Sequence, residues 1–319
     1  MHFFDEDSVI AATPWDRLID ALAGTLRRGT TTSPDRHVHD LAQPDGSTGA
    51  LLLMPSWANR DSTGLDAVGV KVVTYYPANA GTAVPTVNAA YVLFDGADGK
   101  PLATIDGDTL TARRTAAVSA LAARHLARPD ARSLVVVGTG QLAPNLAMAH
   151  ASGRDLESIT IWGRNAASAQ RVAGRLRELG YPAAPSGDLQ ASVASADIVS
   201  CATGATEPVV QGRWLRPGTH LDLVGSFRPD MRESDDEAIR RSTIFVDTVA
   251  GATVSGDLAQ PMATGLLTES EITADLADLA SGRHPGRSAD NEITLFKSAG
   301  FAAADLAAAR LVASGGVQS

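Results

Sequence analysis

The stretch Ser133–Ala149, SLVVVGTGQLAPNLAMA, limits the fold of this chain more than any other part of it. Leu134–Val137 is a short, β-branched apolar run, the pattern of a parallel strand buried on both faces. Gly138, Thr139 and Gly140 turn the chain, and Leu142, Leu146 and Ala149 then recur at helical spacing. A strand that turns through glycines into a helix leaves backbone N–H groups at the positive end of the helix dipole, which suits a pyrophosphate. Gly138-Thr139-Gly140-Gln141-Leu142-Ala143 is the G-x-G-x-x-A form of the dinucleotide fingerprint. Such turns also occur as plain tight connections, so the surrounding pattern decides.

Ile159–Trp162 is a second short apolar strand, about 20 residues on, where such a unit reads the ribose. It ends in Gly163-Arg164-Asn165, with no Asp or Glu. A carboxylate would repel a 2′-phosphate, whereas arginine pairs with one in bidentate fashion. Arg164, with Asn165 beside it, therefore points to NADPH, with NADH as the alternative and a solvated loop arginine as the plain reading. Strands and helices alternate from Ser133 to Asp247, which predicts an α/β fold with a doubly wound parallel sheet.

The preceding part has a different rhythm. Val9, Ile10, Leu18, Ile19, Leu22 and Leu26 predict helices over Asp5 to Arg28. Short apolar runs at 50–54, 68–75, 89–94 and 102–105 follow with no long helix between them, which implies a mostly antiparallel sheet and an α+β module. A long alanine-rich helix is expected from Thr109 to about Ala127, and another from Ala302 to Val312 that returns to pack on the first module.

Charge and cysteine content exclude several classes. A net charge of −9 and a pI near 5.2 argue against nucleic acid or an anionic membrane as partner, so an anionic substrate needs a local basic pocket. With Cys201 alone there is no disulfide framework, and a reducing cytoplasm fits. The opening MHFFDEDSVI does not read as a signal peptide, and no run approaches the roughly 18 apolar residues of a membrane helix.

Three basic residues stand out before the glycine turn: Arg36, Lys71 and Arg114. Lys71 lies in the apolar Val68–Val73 strand, where a lysine must snorkel to water, pair, or face a polar cavity. Arg113 and Arg114 lie early in the long helix, where cations are disfavoured unless something anionic faces them. Together these positions suggest a carboxylate clamp. No metal-ligand cluster is evident; His37 and His39 suit one face of a strand but lack a third ligand and read as surface histidines. Glu233 and Asp235-Asp236-Glu237 read as an acidic helix start.

Leu110-Thr111-Ala112-Arg113-Arg114-Thr115-Ala116-Ala117, the glycine turn, Trp214-Leu215-Arg216-Pro217-Gly218-Thr219 and Thr294-Leu295-Phe296-Lys297-Ser298 together resemble the ornithine cyclodeaminase/mu-crystallin family. The match runs in order from about Leu51 to Asp305. It implies a substrate-binding and dimerisation domain over 1–112, with 299–319 packing back on it, a Rossmann domain over 113–298, a homodimer, and an active site in a cleft between the domains. By the resemblance Lys71 contacts substrate and relays a proton, and Arg36 binds its carboxylate. Arg114 stands where substrate and cofactor meet. Thr86, Thr203, Gly225 and Ser298 fall at positions lining the nicotinamide cofactor, flanked by Val224 and Ser226, while Gly138, Thr139, Gly140, Gln141 and Leu142 form the phosphate turn.

Departures from the family pattern narrow the activity. Cyclodeaminases carry an Asp where this chain has Phe227, and a Glu where it has Leu52; Met231 replaces a family lysine. A phenyl ring neither accepts a proton nor holds an ammonium. This form resembles the branch that reduces Δ1-pyrroline-2-carboxylate and Δ1-piperideine-2-carboxylate to proline and pipecolate. The alternatives are cyclodeaminase or alanine dehydrogenase activity, or a mu-crystallin-like protein that binds NADPH and a small ligand.

Overall fold

Seven strands build the first sheet: β1 His2–Phe4, β2 Thr31–Thr32, β3 His37–Ala42, β4 Thr48–Asn59, β5 Leu65–Tyr75, β6 Val87–Asp95 and β7 Pro101–Asp106. Their order is β1-β7-β6-β5-β4-β2, with β3 also paired to β4. β3 to β7 pair antiparallel, as the closely spaced apolar runs predict for β4 to β7. β1 joins β7 in parallel, and it and β2 are too short to show an alternation in the sequence. These coordinates belong to a computed structural model that describes residues 1–59, 65–79, 82 and 84–315.

Side chains alternate across this sheet as a pleated strand requires. Ala67, Gly69 and Lys71 of β5 are buried, while Val68, Val70 and Val72 on the opposite face are half-buried. The helices Glu6–Ala12, Trp15–Arg28 and Ala302–Gly315 pack together, and the last also lies on β4, β5, β6 and β7. Leu18, Ile19 and Leu22 give the Trp15–Arg28 helix its fully buried stripe, and Gly29 ends it at φ 64°. Met1–Arg114 and the stretch from Phe301 onward form one compact unit; Thr115–Gly300 forms a second. Residues 316–319 of the expected returning segment lie outside the described residues.

The second unit is a single parallel sheet of eight strands: β8 Ser133–Val137, β9 Ser158–Trp162, β10 Ala183–Ser186, β11 Ile198–Cys201, β12 His220–Leu223, β13 Ser242–Val246, β14 Ile272–Asp275 and β15 Ile293–Lys297. The order β10-β9-β8-β11-β12-β15-β13-β14 reverses direction between β8 and β11, the crossing that opens a crevice at the carboxyl ends of the strands. Helices cover both faces, and two apolar clusters result. Val135, Val137, Val199 and Leu221 face one, while Leu134, Val136, Ile159 and Ile161 face the other. Each such side chain contributes about 1.5–3 kcal/mol on burial. This is the doubly wound α/β fold predicted from the glycine turn. Among the described residues no helix is long and apolar enough to cross a membrane.

Candidate functional site

The glycine turn leaves β8 and opens the helix Leu142–Ser152, with Gln141 at its N-cap position. Gly138 has φ 130°, a conformation few other residues adopt, and a Cβ there would run into the Ala202 carbonyl oxygen. A Cβ on Gly140 would meet no protein atom within 4 Å, so the turn is open on that side. It opens onto a cavity of about 870 Å³. Gly138, Thr139, Gly140, Trp162, Gly163, Arg164 and Asn165 line one part, and the loop 202–209 lines the other. The volume suits a bound small molecule, and the open glycine leaves room for a phosphate to approach the backbone. The residues present thus fit a dinucleotide. Arg164 is exposed on the rim. Asn165 caps the helix Ala166–Glu178 by accepting the Ser168 N–H at 3.1 Å.

The other expected cofactor positions divide between the units. Thr203, Val224, Gly225, Ser226 and Ser298 directly follow β11, β12 and β15 in the second unit. Of these, Thr203 lines the cavity. The Ser226 hydroxyl is fully buried, donating to the Met231 carbonyl at 2.9 Å and pairing with the Ser255 hydroxyl at 2.8 Å. The Ser298 hydroxyl donates to Asp247 at 3.0 Å. Both side chains are thus engaged within the protein. Thr86 belongs to the first unit, just before β6, and its carbonyl accepts the Tyr76 N–H at 2.8 Å.

Lys71 and Arg114 come together in the first unit on a residue the sequence reading missed. Lys71 Nζ lies 2.9 Å from Asp305 Oδ1, and Arg114 Nε lies 2.8 Å from the same oxygen. The three are 3 %, 5 % and 0 % exposed, so two cations share one buried carboxylate. Asp305 Oδ2 and Arg114 Nη1 find no hydrogen-bond partner, and neither does the hydroxyl of Tyr91, which stands opposite Lys71 on β6. Gly69 makes room for that phenol, since a Cβ there would collide with it. Burial and the Arg114 guanidinium lower the Lys71 pKa to about 8, against the pull of Asp305; Arg36 adds to the lowering, which places its half-buried charge near the cluster. Lys71 therefore pairs rather than snorkels.

Arg113, next to Arg114, does something else. Its Nε donates to Thr13 Oγ1 at 2.6 Å, its Nη2 to the Thr13 carbonyl, and its guanidinium stacks 4.0 Å above Trp15. It ties the long helix Gly107–Leu126 to the first two helices.

Glu233 is not part of an acidic helix start. The helix Asp236–Arg241 is capped by Asp235, and Glu233 is fully buried with its carboxylate on Thr203 and Gly225. Near it lie Asp257 and Lys297, 3.1 Å apart and fully buried. Cys201 is buried too, and burial pushes its thiol pKa well up. His37 and His39 are exposed on β3. Among the described residues no group of three or more His, Cys, Asp or Glu is placed to hold a metal ion. Phe227 is 41 % exposed, on a loop fixed by hydrogen bonds from Gln260 to the Pro229 carbonyl and from Gly256 to the Arg228 carbonyl.

A doubly wound sheet with an open glycine turn, in a chain whose other unit carries a buried cationic cluster, defines a Rossmann-type nucleotide-binding protein. The family model for the ornithine cyclodeaminase/mu-crystallin family matches residues 4–317, and the chain belongs to that family. It is 40 % identical over 290 residues to Protein SAR DEFICIENT 4 of Arabidopsis thaliana, covering 89 % of this chain and 87 % of that one. It is also 40 % identical over 305 residues to the Delta(1)-pyrroline-2-carboxylate reductase of Colwellia psychrerythraea, covering 93 % and 94 %. Among solved structures, the Thermococcus litoralis Delta(1)-pyrroline-2-carboxylate reductase in complex with NADH and L-proline superposes with a TM-score of 0.92. That pair is 32 % identical, over 100 % of this chain and 98 % of the other.

Proposed function

We propose that this protein reduces cyclic imino acids, Δ1-pyrroline-2-carboxylate to proline and Δ1-piperideine-2-carboxylate to pipecolate, with NADPH as the preferred reductant. One observation carries the substrate class: two buried cations, Lys71 and Arg114, face a single carboxylate, Asp305, and leave Arg114 Nη1 unspent. A buried excess of positive charge is costly until an anion arrives. A substrate carboxylate supplies that anion, gripped by Arg114 and Arg36. The similarity to named pyrroline-2-carboxylate reductases supports the same reading.

The nicotinamide cofactor, when bound, supplies the hydride that forms the new C–H bond at the imine carbon. The chain supplies position and a proton. Lys71, poised near a pKa of about 8, carries a proton at neutral pH and can release it to the imine nitrogen. Asp305 holds the ammonium in place through its 2.9 Å contact. Phe227 presents an apolar face where a cyclodeaminase needs a carboxylate, which favours a hydrocarbon ring over an amine. Arg164, exposed on the cavity rim with no acidic neighbour on its loop, favours the 2′-phosphate of NADPH over NADH.

The outer face of the first sheet supports a homodimer. Leu51, Leu53 and Trp57 of β4 lie beside Val68, Val70 and Val72 of β5 and Val92 and Phe94 of β6, none of them fully buried. A contiguous apolar face of this kind marks an interface.

The test follows NADPH absorbance with purified protein and Δ1-pyrroline-2-carboxylate, with NADH and with ornithine plus NAD in parallel. Rapid oxidation with the imine, slower with NADH and none with ornithine, is the expected result. Turnover of ornithine would overturn the argument from Phe227. Tight NADPH binding without turnover of either imine would leave a binding protein instead.

A further inference from the structure

A single buried carboxylate ties together the two loops that follow β11 and β12. Glu233 Oε1 accepts the Thr203 N–H at 2.7 Å and the Thr203 hydroxyl at 2.9 Å, and Oε2 accepts the Gly225 N–H at 2.7 Å. The loops meet as closely as backbone permits: a Cβ on Gly225 would collide with the Thr203 backbone and stand 2.6 Å from Glu233 Oε1. The backbone of Glu233 works on the same loop from its other end. Its carbonyl accepts the N–H groups of Val209 and Val210, each at 2.9 Å. Both limbs of the loop 202–209, which lines the same cavity as the glycine turn, thus hang on one residue.

Glu233 is itself held from behind. Its N–H donates to Asp257 Oδ1 at 2.7 Å, Asp257 Oδ2 pairs with Lys297 Nζ at 3.1 Å, and Lys297 also donates to the Leu223 carbonyl at 3.2 Å. All three side chains are fully buried and reach the carboxyl ends of β12 and β15. Glu233 does not line the cavity, so its action on a ligand passes through Thr203 and Gly225.

We propose that Glu233 is a positioning residue for the cofactor, setting the wall of the dinucleotide cavity by fixing Thr203 against Gly225. This rests on the reading that the cavity takes a nicotinamide dinucleotide. Glutamine in its place keeps size but offers only one accepting oxygen, so an NH₂ group must face one of the backbone donors. Losing a hydrogen bond to a charged group is worth about a tenfold to hundredfold change.

The experiment compares wild type with Glu233→Gln, measuring NADPH affinity by fluorescence titration and KM for cofactor and imine separately. A cofactor Kd and KM raised about tenfold or more is expected, with imine KM and saturated kcat within about threefold of wild type. A general loss of folding would instead lower the rate for both substrates equally and leave cofactor KM unchanged, and that result overturns the proposal. So does a Glu233→Gln variant with wild-type cofactor affinity. If Glu233→Gln does not fold, Glu233→Asp, which keeps both oxygens but draws them back from Thr203 and Gly225, decides. A smaller rise confined to cofactor KM supports the proposal, and unchanged affinity overturns it. A wild-type protein that binds no NADPH or NADH would overturn the cofactor reading itself, whatever the variants do.

Discussion

Each unit buries a lysine against aspartate, and the two clusters differ in what they leave over. In the first, Lys71 and Arg114 share Asp305, and one nitrogen of Arg114 and one oxygen of Asp305 stay unpaired. In the second, Lys297 balances Asp257 beside Glu233, and the two carboxylates are occupied by backbone and side-chain donors. Burial, with Asp257 nearby, pushes the Glu233 pKa up to about 8, and the hydrogen bonds of this cluster are spent on holding loops. Buried ionisable groups become a binding site when charge and hydrogen-bonding capacity remain unspent together. Where the capacity is consumed they are scaffold.

Replacing a lysine on each side tests that distinction most severely. Lys71→Ala is expected to lower imine reduction by about 10³-fold or more while NADPH affinity, read by titration, stays at the wild-type level. Equal loss of both would make Lys71 scaffold as well. Stability is expected to respond in the opposite sense. Lys297→Met leaves Asp257 buried without its cation and costs about 3–5 kcal/mol, a fall of roughly 10 °C in thermal unfolding. Lys71→Met leaves Asp305 still paired with Arg114, so its Tm is expected to fall by less than half as much; a larger fall would erase the contrast.

The smallest effect is a pH profile. A lysine whose pKa is lowered to about 8 holds its proton below that value and loses it above. With Lys71 as proton donor, kcat/KM for the imine is expected to fall about tenfold per pH unit above pH 8. A profile flat to pH 10 would place the donor elsewhere.

How much of this was legible in the sequence depended on distance along the chain. The β8–turn–helix unit is local, and its glycines report their own backbone needs, so the parallel sheet could be read from the order of apolar runs. Lys71 was conspicuous because a charge in an apolar strand demands a partner. That partner lies 234 residues away. One trace of it existed: Asp305 interrupts Phe301-Ala302-Ala303-Ala304 and Leu306-Ala307-Ala308-Ala309, an apolar helix in which a carboxylate makes the same demand. Two such anomalies of opposite sign could have been matched. Glu233 is harder to read, because the three acidic residues at 235–237 make it look like part of an acidic helix start. Its burial comes from where the two loops fold, which no local pattern encodes. β1 was missed for a related reason, since a parallel partner for three residues lies a hundred residues on.

The helix Ala302–Gly315, which lies against four strands of the first sheet, also orders events during synthesis. The usual expectation is that the domain made first folds first. Here the stretch 115–300 is continuous and leaves the ribosome before the segment that completes the earlier unit. The nucleotide-binding part can therefore mature while β4 and β5 still wait for the helix that covers them, and Lys71 for its counter-ion. In a nascent chain the buried cluster of Lys71, Arg114 and Asp305 is assembled last.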